Sequence, residues 1–89
     1  MHKQEGLSET RFTVDYMDTT MQVFLFIREY LATHLWPPTL KEIAVGCGLV
    51  WPSSVIRHLD RLEGWGLITR APGRARSIAL TDKGQTFSP

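Results

Sequence analysis

The sequence predicts a mainly α-helical domain with one small β-hairpin, a fold of the α+β class. Three stretches carry apolar residues at three- and four-residue spacing, the period of a helix with one buried face. Two short apolar stretches then flank a Pro-Gly pair, which is typical of a hairpin. With 89 residues, 43% of them hydrophobic, the chain has material for one compact core. We expect a leader at 1–18, one domain at 19–84 and a tail at 85–89.

Composition also excludes several function classes. No apolar run approaches the roughly 20 residues of a membrane span, and the N-terminal residues lack the apolar region expected of a signal peptide. Cys47 is the single cysteine, which excludes an internal disulfide and fits a reducing compartment. His2, His34 and His58 do not combine with acids at ligand spacing, and no serine or cysteine has a suitable base. We expect a cytoplasmic protein that is no enzyme and holds no metal or cofactor.

In the leader, apolar and polar residues alternate strictly over residues 12–16, which is the period of a strand. A strand at 11–16 would need a sheet edge to join, in its own domain or in a second copy. The alternative is a disordered tail, and the residues themselves leave both open.

The first helix is predicted from Thr20 to Leu35, with a capping box formed by Thr19 and Gln22. Trp36 and the two prolines after it end the helix, because proline lacks an N–H and disfavours the helical conformation before it. One broad face is expected to be buried, formed by Val23, Phe24, Ile27, Leu31 and Leu35.

The second helix begins with another capping box, Thr39-x-x-Glu42, and turns Leu40, Ile43 and Ala44 inward. It is short, because the Gly46-Cys47-Gly48 stretch stops it and glycine suits the left-handed turn that follows. Leu49 is then expected to enter the core.

The third helix opens at Pro52 and continues to about Gly64, with Val55, Leu59 and Leu62 as its buried stripe. The other faces carry mostly polar residues: Ser53, Ser54, Arg57, His58, Asp60 and Arg61. Trp36 and Trp65 are expected in the core or on a dimer surface.

Residues 67–70 and 76–80 are predicted as two strands joined by a type II turn at Pro72-Gly73. Beyond residue 80 the chain leaves the sheet, and its last residues are expected to fray. No acid lies between Glu63 and Asp82, whereas three arginines do: Arg70, Arg74 and Arg76. From Arg57 onward, six basic residues face three acidic ones, so this part of the chain is suited to a polyanion.

Helix, helix, glycine turn, helix and basic hairpin is the element order of a winged helix-turn-helix, with three helices and a wing of two or three strands. The third helix of that fold enters the major groove of double-stranded DNA, and the wing lies on the backbone or in the minor groove. The alternative is a winged helix that docks another protein. The arginine-tipped wing argues against it.

Residues 19–81 resemble the N-terminal DNA-binding domain of the LexA repressor family. The most specific match is Pro37-Pro38-Thr39 leading into Glu42-Ile43-Ala44, and others are Gly48-Leu49, Pro52, His58-Leu59-x-x-Leu62 and Gly66-Leu67-Ile68. The stretch from 80 to 84 is also similar to wings of MarR-type regulators. The resemblance implies a small transcriptional regulator, a repressor that occupies an operator. The C-terminal peptidase domain of the family has no counterpart among these residues, so self-cleavage is not expected.

The resemblance also implies where bases are read. The family uses the turn before the third helix and its first two turns, which here are Trp51, Ser53, Ser54, Ile56 and Arg57. Apart from the proline between Trp51 and Ser53, these positions depart from the family pattern, so a different operator is expected.

The candidate DNA contacts each have an alternative role. Arg57 reads guanine or a phosphate, or pairs with Asp60; Ile56 meets a thymine methyl or packs at the core edge. Trp51 presses on the backbone or covers the core, and Ser53 binds phosphate or caps the helix. The remaining candidates are cationic: Lys41, Arg61, Arg70, Arg74 and Arg76. Lys41 approaches a phosphate or is a solvated surface lysine, and the three wing arginines contact phosphates or the minor groove or serve only solubility. We also expect a homodimer, formed through the strand at 11–16 or through the first helix.

Overall fold

The computed structural model describes residues 19–88, and the predicted leader strand at 11–16 lies outside them. Helix α1 spans 19–33, α2 spans Leu40–Cys47 and α3 spans Ser53–Gly64. A two-stranded antiparallel sheet follows, with β1 at Ile68–Thr69 and β2 at Ala79–Leu80, and a short α4 at Asp82–Thr86. The α+β winged helix-turn-helix is confirmed, with a two-stranded wing. Within residues 19–88, no helix has both the length and the apolar character to cross a membrane.

Helix α1 ends earlier than predicted. Thr19 is already helical, and the last helical residue is 33, two residues before the predicted end at Leu35. Leu35 therefore lies in the following loop and is 96% exposed, so its predicted place in the core is wrong. Val23, Phe24 and Ile27 of the stripe are fully buried as predicted, and Leu31 is partly buried and packs against the core.

The core joins α1, α2, α3 and the wing. Ile43 and Ala44 come from α2, and Leu67, Ile68 and Ile78 come from the strands and their flanks. The predicted stripe of α3 is confirmed, since its three members are at most 1% exposed: Val55, Leu59 and Leu62. Leu49 and Trp65 are partly buried and pack against this cluster.

After the wing the chain forms α4, which differs from the fraying expected of its last residues. Thr81 caps α4 by accepting a hydrogen bond from the Gly84 N–H at 2.9 Å. Arg28 of α1 donates to the carbonyl oxygens of Gly84 at 3.2 Å and Phe87 at 2.7 Å. The Phe87 ring meets that of Phe24 edge-on, with centroids 5.8 Å apart, so α4 is tied to α1.

Candidate nucleic-acid interface

Both ends of α2, including the turn that leads to α3, are built as predicted. The Thr39 hydroxyl accepts from the Glu42 N–H at 3.1 Å, and the Glu42 carboxylate accepts from the Thr39 N–H at 2.9 Å, which completes the capping box. At the other end Gly48 has φ +72, and the Leu49 N–H donates to the Ala44 carbonyl at 2.8 Å. This is a Schellman motif, and it directs the chain back toward α3.

Most of the predicted base-reading residues reach solvent. Trp51 is 67% exposed and Ile56 is 41% exposed, while Ser53 and Arg57 are also exposed and Ser54 is half-buried. The exposure of Trp51 rules out its alternative role as a cover of the core. The start of α3 thus presents an apolar and hydroxyl-bearing surface with one guanidinium.

Arg57 does not form the helix salt bridge that was its alternative. Among residues 19–88, the ion pairs join Arg70 to Asp60 and Glu63, and Arg76 to Glu42. Asp60 is therefore engaged by Arg70, and Arg57 stays outside these pairs. Arg61 is half-buried on the same helix.

The wing turns at Ala71–Arg74, with Gly73 at φ +72 and the Arg74 N–H donating to the Ala71 carbonyl at 3.2 Å. These are features of a type II turn with Pro72 at its first central position, as predicted. The Ser77 hydroxyl reinforces the wing, because it bridges the Ala71 N–H at 3.0 Å and the Arg74 carbonyl at 3.0 Å.

The three wing arginines differ in what their side chains meet. Arg70 turns back onto α3, where its guanidinium contacts Asp60 and donates to Glu63 at 3.1 Å. Arg76 turns onto the start of α2, where it donates to both carboxylate oxygens of Glu42 at 3.1 Å. Arg74 is exposed, and its side chain makes no hydrogen bond or ion pair with another residue of 19–88. No local sequence pattern predicts these partners, which lie seven and ten residues from Arg70 and 34 residues from Arg76 along the chain.

A groove of about 770 Å³ separates the wing from α2 and α3. Lys41 and Ile56 line its helical side, and Arg74 lines its wing side. Glu42 lies beside it, and the Thr39 N–H, together with Arg76, holds the pKa of its carboxyl at about 2. The carboxylate is therefore ionised at neutral pH, and the positive charge of Arg76 balances its negative charge.

His58 corrects the prediction that it lies on an outer face of α3. It is 6% exposed, and its Nδ1 shares a hydrogen bond of 2.8 Å with the hydroxyl of buried Thr20. Burial lowers the pKa of the imidazole, and the positive charges of Arg61 and Arg57 lower it further. In the part of the chain that the structure describes, no group of three or more His, Cys, Asp or Glu side chains could hold a metal ion.

Three helices, a left-handed turn between the second and third, and a two-stranded wing beside an exposed third helix define a winged helix-turn-helix domain. The profile of the LexA DNA-binding domain family matches residues 18–77. The chain belongs to the LexA DNA-binding domain family, which confirms the resemblance seen in the sequence.

Similar proteins include LexA repressors from three bacteria. The one from Carboxydothermus hydrogenoformans is 41% identical over 59 residues, which are 66% of this chain and 29% of that protein. The repressor from Geotalea uraniireducens is 45% identical over 58 residues, 65% of this chain and 29% of that protein. That from Bacillus velezensis is 38% identical over 69 residues, 78% of this chain and 34% of that protein. The chain thus spans about three tenths of the length of the curated relatives it matches.

Proposed function

We propose that this chain is a transcriptional regulator that binds double-stranded DNA at specific sequences, with α3 in the major groove and no catalytic step. The supporting observation is the exposed start of α3, flanked by Lys41 on α2 and Arg74 on the wing. The major groove of B-DNA is about 12 Å wide and admits a helix. The wing then lies against the phosphates beside that groove or enters the minor groove.

The residues of α3 divide by chemistry into base readers and phosphate contacts. Arg57 has the planar fork of donors that pairs with the O6 and N7 atoms of guanine. Ile56 and Trp51 offer apolar surface to thymine methyl groups, and Ser53 and Ser54 offer hydroxyls to phosphate or bases. Lys41 and Arg74 bind phosphates, and the half-buried Arg61 adds positive charge on α3.

Two copies are proposed to act together on an operator with two-fold symmetry, since one α3 contacts few base pairs. One candidate contact is α1, where Leu25 is 40% exposed. The other is the segment 11–16. We propose that the regulator works in the cytoplasm, at the nucleoid, by occupying its operator.

Selection of bound duplexes from a random pool tests this function. We expect an enriched motif in which two half-sites lie one helical turn, about 34–36 Å, or a multiple of it apart. Sedimentation of the chain alone, at rising concentration, reports whether the dimer forms without DNA. A pool that gains no motif, together with binding that is insensitive to salt, would contradict the proposal.

A further inference from the structure

Glu42 is the point at which α1, α2 and the wing meet. Its Oε1 accepts from the Thr39 N–H at 2.9 Å and from the Tyr30 hydroxyl of α1 at 3.2 Å. The Tyr30 hydroxyl in turn accepts from the indole N–H of Trp36 at 3.2 Å. One carboxylate therefore holds the start of α2 and the end of α1 in place.

Arg76 completes this cluster from the wing. Its Nη1 donates to Oε1 of Glu42, its Nη2 donates to Oε2, both at 3.1 Å, and Nη1 also donates to the Pro37 carbonyl at 2.8 Å. A paired, two-point contact between guanidinium and carboxylate fixes orientation as well as distance. The backbone of Arg76 has φ 54, a left-handed conformation that a bulky residue keeps only when its surroundings enforce it.

These contacts separate Arg76 from Arg74, although the sequence predicts both as phosphate or minor-groove contacts. To reach DNA, Arg76 would have to give up three donated hydrogen bonds and leave an ionised carboxylate beside the groove. Arg74 gives up none, because its side chain is unpaired within residues 19–88.

We infer that Arg76 is a positioning residue: its pairing with Glu42 fixes the wing against the start of α2, so that Arg74 meets the phosphate backbone. The inference rests on the proposed function. It assigns Glu42, an acid beside a DNA-binding groove, a favourable effect on DNA affinity.

The sign of that effect makes the test. We compare the full chain with Glu42→Gln, Arg76→Asn and the double variant, using fluorescence anisotropy on a labelled duplex of mixed sequence. Glutamine keeps an oxygen for the Thr39 N–H, and asparagine tolerates the left-handed backbone of residue 76. Glu63→Gln is the matched control, because it also removes one carboxylate beside the groove while Asp60 still engages Arg70.

We expect Glu42→Gln and Arg76→Asn each to weaken binding by about fivefold, with the double variant no weaker than either. Glu63→Gln should leave binding unchanged or strengthen it, because a repelling charge is gone. If Arg76 instead contacts phosphate directly, Glu42→Gln strengthens binding and Arg76→Asn alone weakens it. That pattern, or additive losses in the double variant, would overturn the inference.

Two further measurements separate positioning from simple loss of fold. Thr39→Ala weakens the cap of α2 but keeps the Glu42–Arg76 pair, so it should lower the melting temperature and not the DNA affinity. In the free protein, amide hydrogen exchange at 71–77 should become faster in Glu42→Gln and Arg76→Asn and stay unchanged in Thr39→Ala. Unchanged exchange in the first two variants overturns the positioning role, whereas a wild-type chain that binds no duplex overturns the proposed function itself.

Discussion

The hydroxyl of Thr20 on α1 and Nδ1 of His58 on α3 share a buried hydrogen bond of 2.8 Å. Burial of His58 lowers its pKa, and Arg61 and Arg57 on the same helix add to the effect. The folded protein therefore holds this imidazole neutral to a lower pH than the unfolded chain does. The contact fixes α1 against the middle of α3, directly behind the proposed reading surface.

Stability should accordingly fall as the solution is acidified. An unfolded histidine takes up a proton near its ordinary pKa of 6.5, whereas folded His58 resists it. The contribution is complete above that value and is lost as pH falls through 6.5 toward the lower folded pKa. We expect the melting temperature to drop between about pH 7.5 and pH 5, and the drop to be smaller in His58→Gln. An equal drop in that variant would show that other groups cause it.

Gly48 should resist replacement because of its backbone and not its surroundings. No atom lies within 4 Å of the position that a Cβ would take, but φ is +72. We expect Gly48→Ala to cost about 1 kcal/mol of unfolding free energy, and Gly48→Asn to cost less, since asparagine tolerates this region. Urea unfolding measures both. Equal costs would contradict a purely conformational cause.

Gly84 should resist replacement for the opposite reason. A Cβ there would lie 2.1 Å from the carbonyl oxygen of Leu67, so the backbone itself would have to shift. We expect Gly84→Ala to lower the unfolding free energy by about 1–3 kcal/mol. Gly64→Ala is the matched control, because nothing lies within 4 Å of its Cβ position and alanine favours a helix. A harmless Gly84→Ala would mean that α4 is not packed against the backbone of Leu67 in solution.

Thymine methyl groups should contribute to recognition if Ile56 and Trp51 read them. Once a selected site is known, replacing its thymines by uracils one at a time removes a single methyl group. At a contacted position we expect the Kd to rise about fourfold, the value of about 0.8 kcal/mol for one buried carbon. In the Ile56→Ser variant, thymine and uracil should give the same Kd at the DNA position that Ile56 contacts. Uracil duplexes that bind as well as thymine duplexes everywhere would exclude this readout.

Replacing Arg57 and replacing Arg74 should impair DNA binding in different ways. Arg57→Ala should cost about 1–3 kcal/mol on the selected site and relax the preference at one base pair. Arg74→Ala should weaken binding to all sequences and reduce the dependence of log Kd on log salt by about one unit of slope. Repeating the selection and a salt titration for each variant makes the comparison. A similar loss of specificity in both would dismiss the division between base and phosphate contacts.

The sequence predicts most of the fold because its signals are local. The capping box of Thr39 and Glu42, the glycine at 48 and the Pro72-Gly73 turn each fix a boundary within a few residues. The end of α1 is less precise, because Trp36 and the prolines show that a helix must stop before them but not how far before. Leu35 consequently falls outside the helix and outside the core.

Other features depend on contacts that no local pattern contains. His58 lies on the buried stripe, three residues after Val55 and four before Leu62. Its polar side chain predicts an outer face, because the hydrogen-bond partner that allows its burial, Thr20, is 38 residues away along the chain. The Glu42–Arg76 pair joins residues 34 positions apart. Helix α4 has no apolar stripe and contains a glycine, so its cap at Thr81 was the one local sign of it.

The wing carries less unpaired positive charge than its three arginines indicate. Arg70 and Arg76 are matched by acids from α3 and α2, which leaves Arg74 as the unpaired guanidinium of the wing within residues 19–88. Affinity for DNA of any sequence grows with the number of phosphates a protein neutralises. We therefore expect the proposed regulator to dissociate quickly from DNA of random sequence and to discriminate its operator through the contacts of α3.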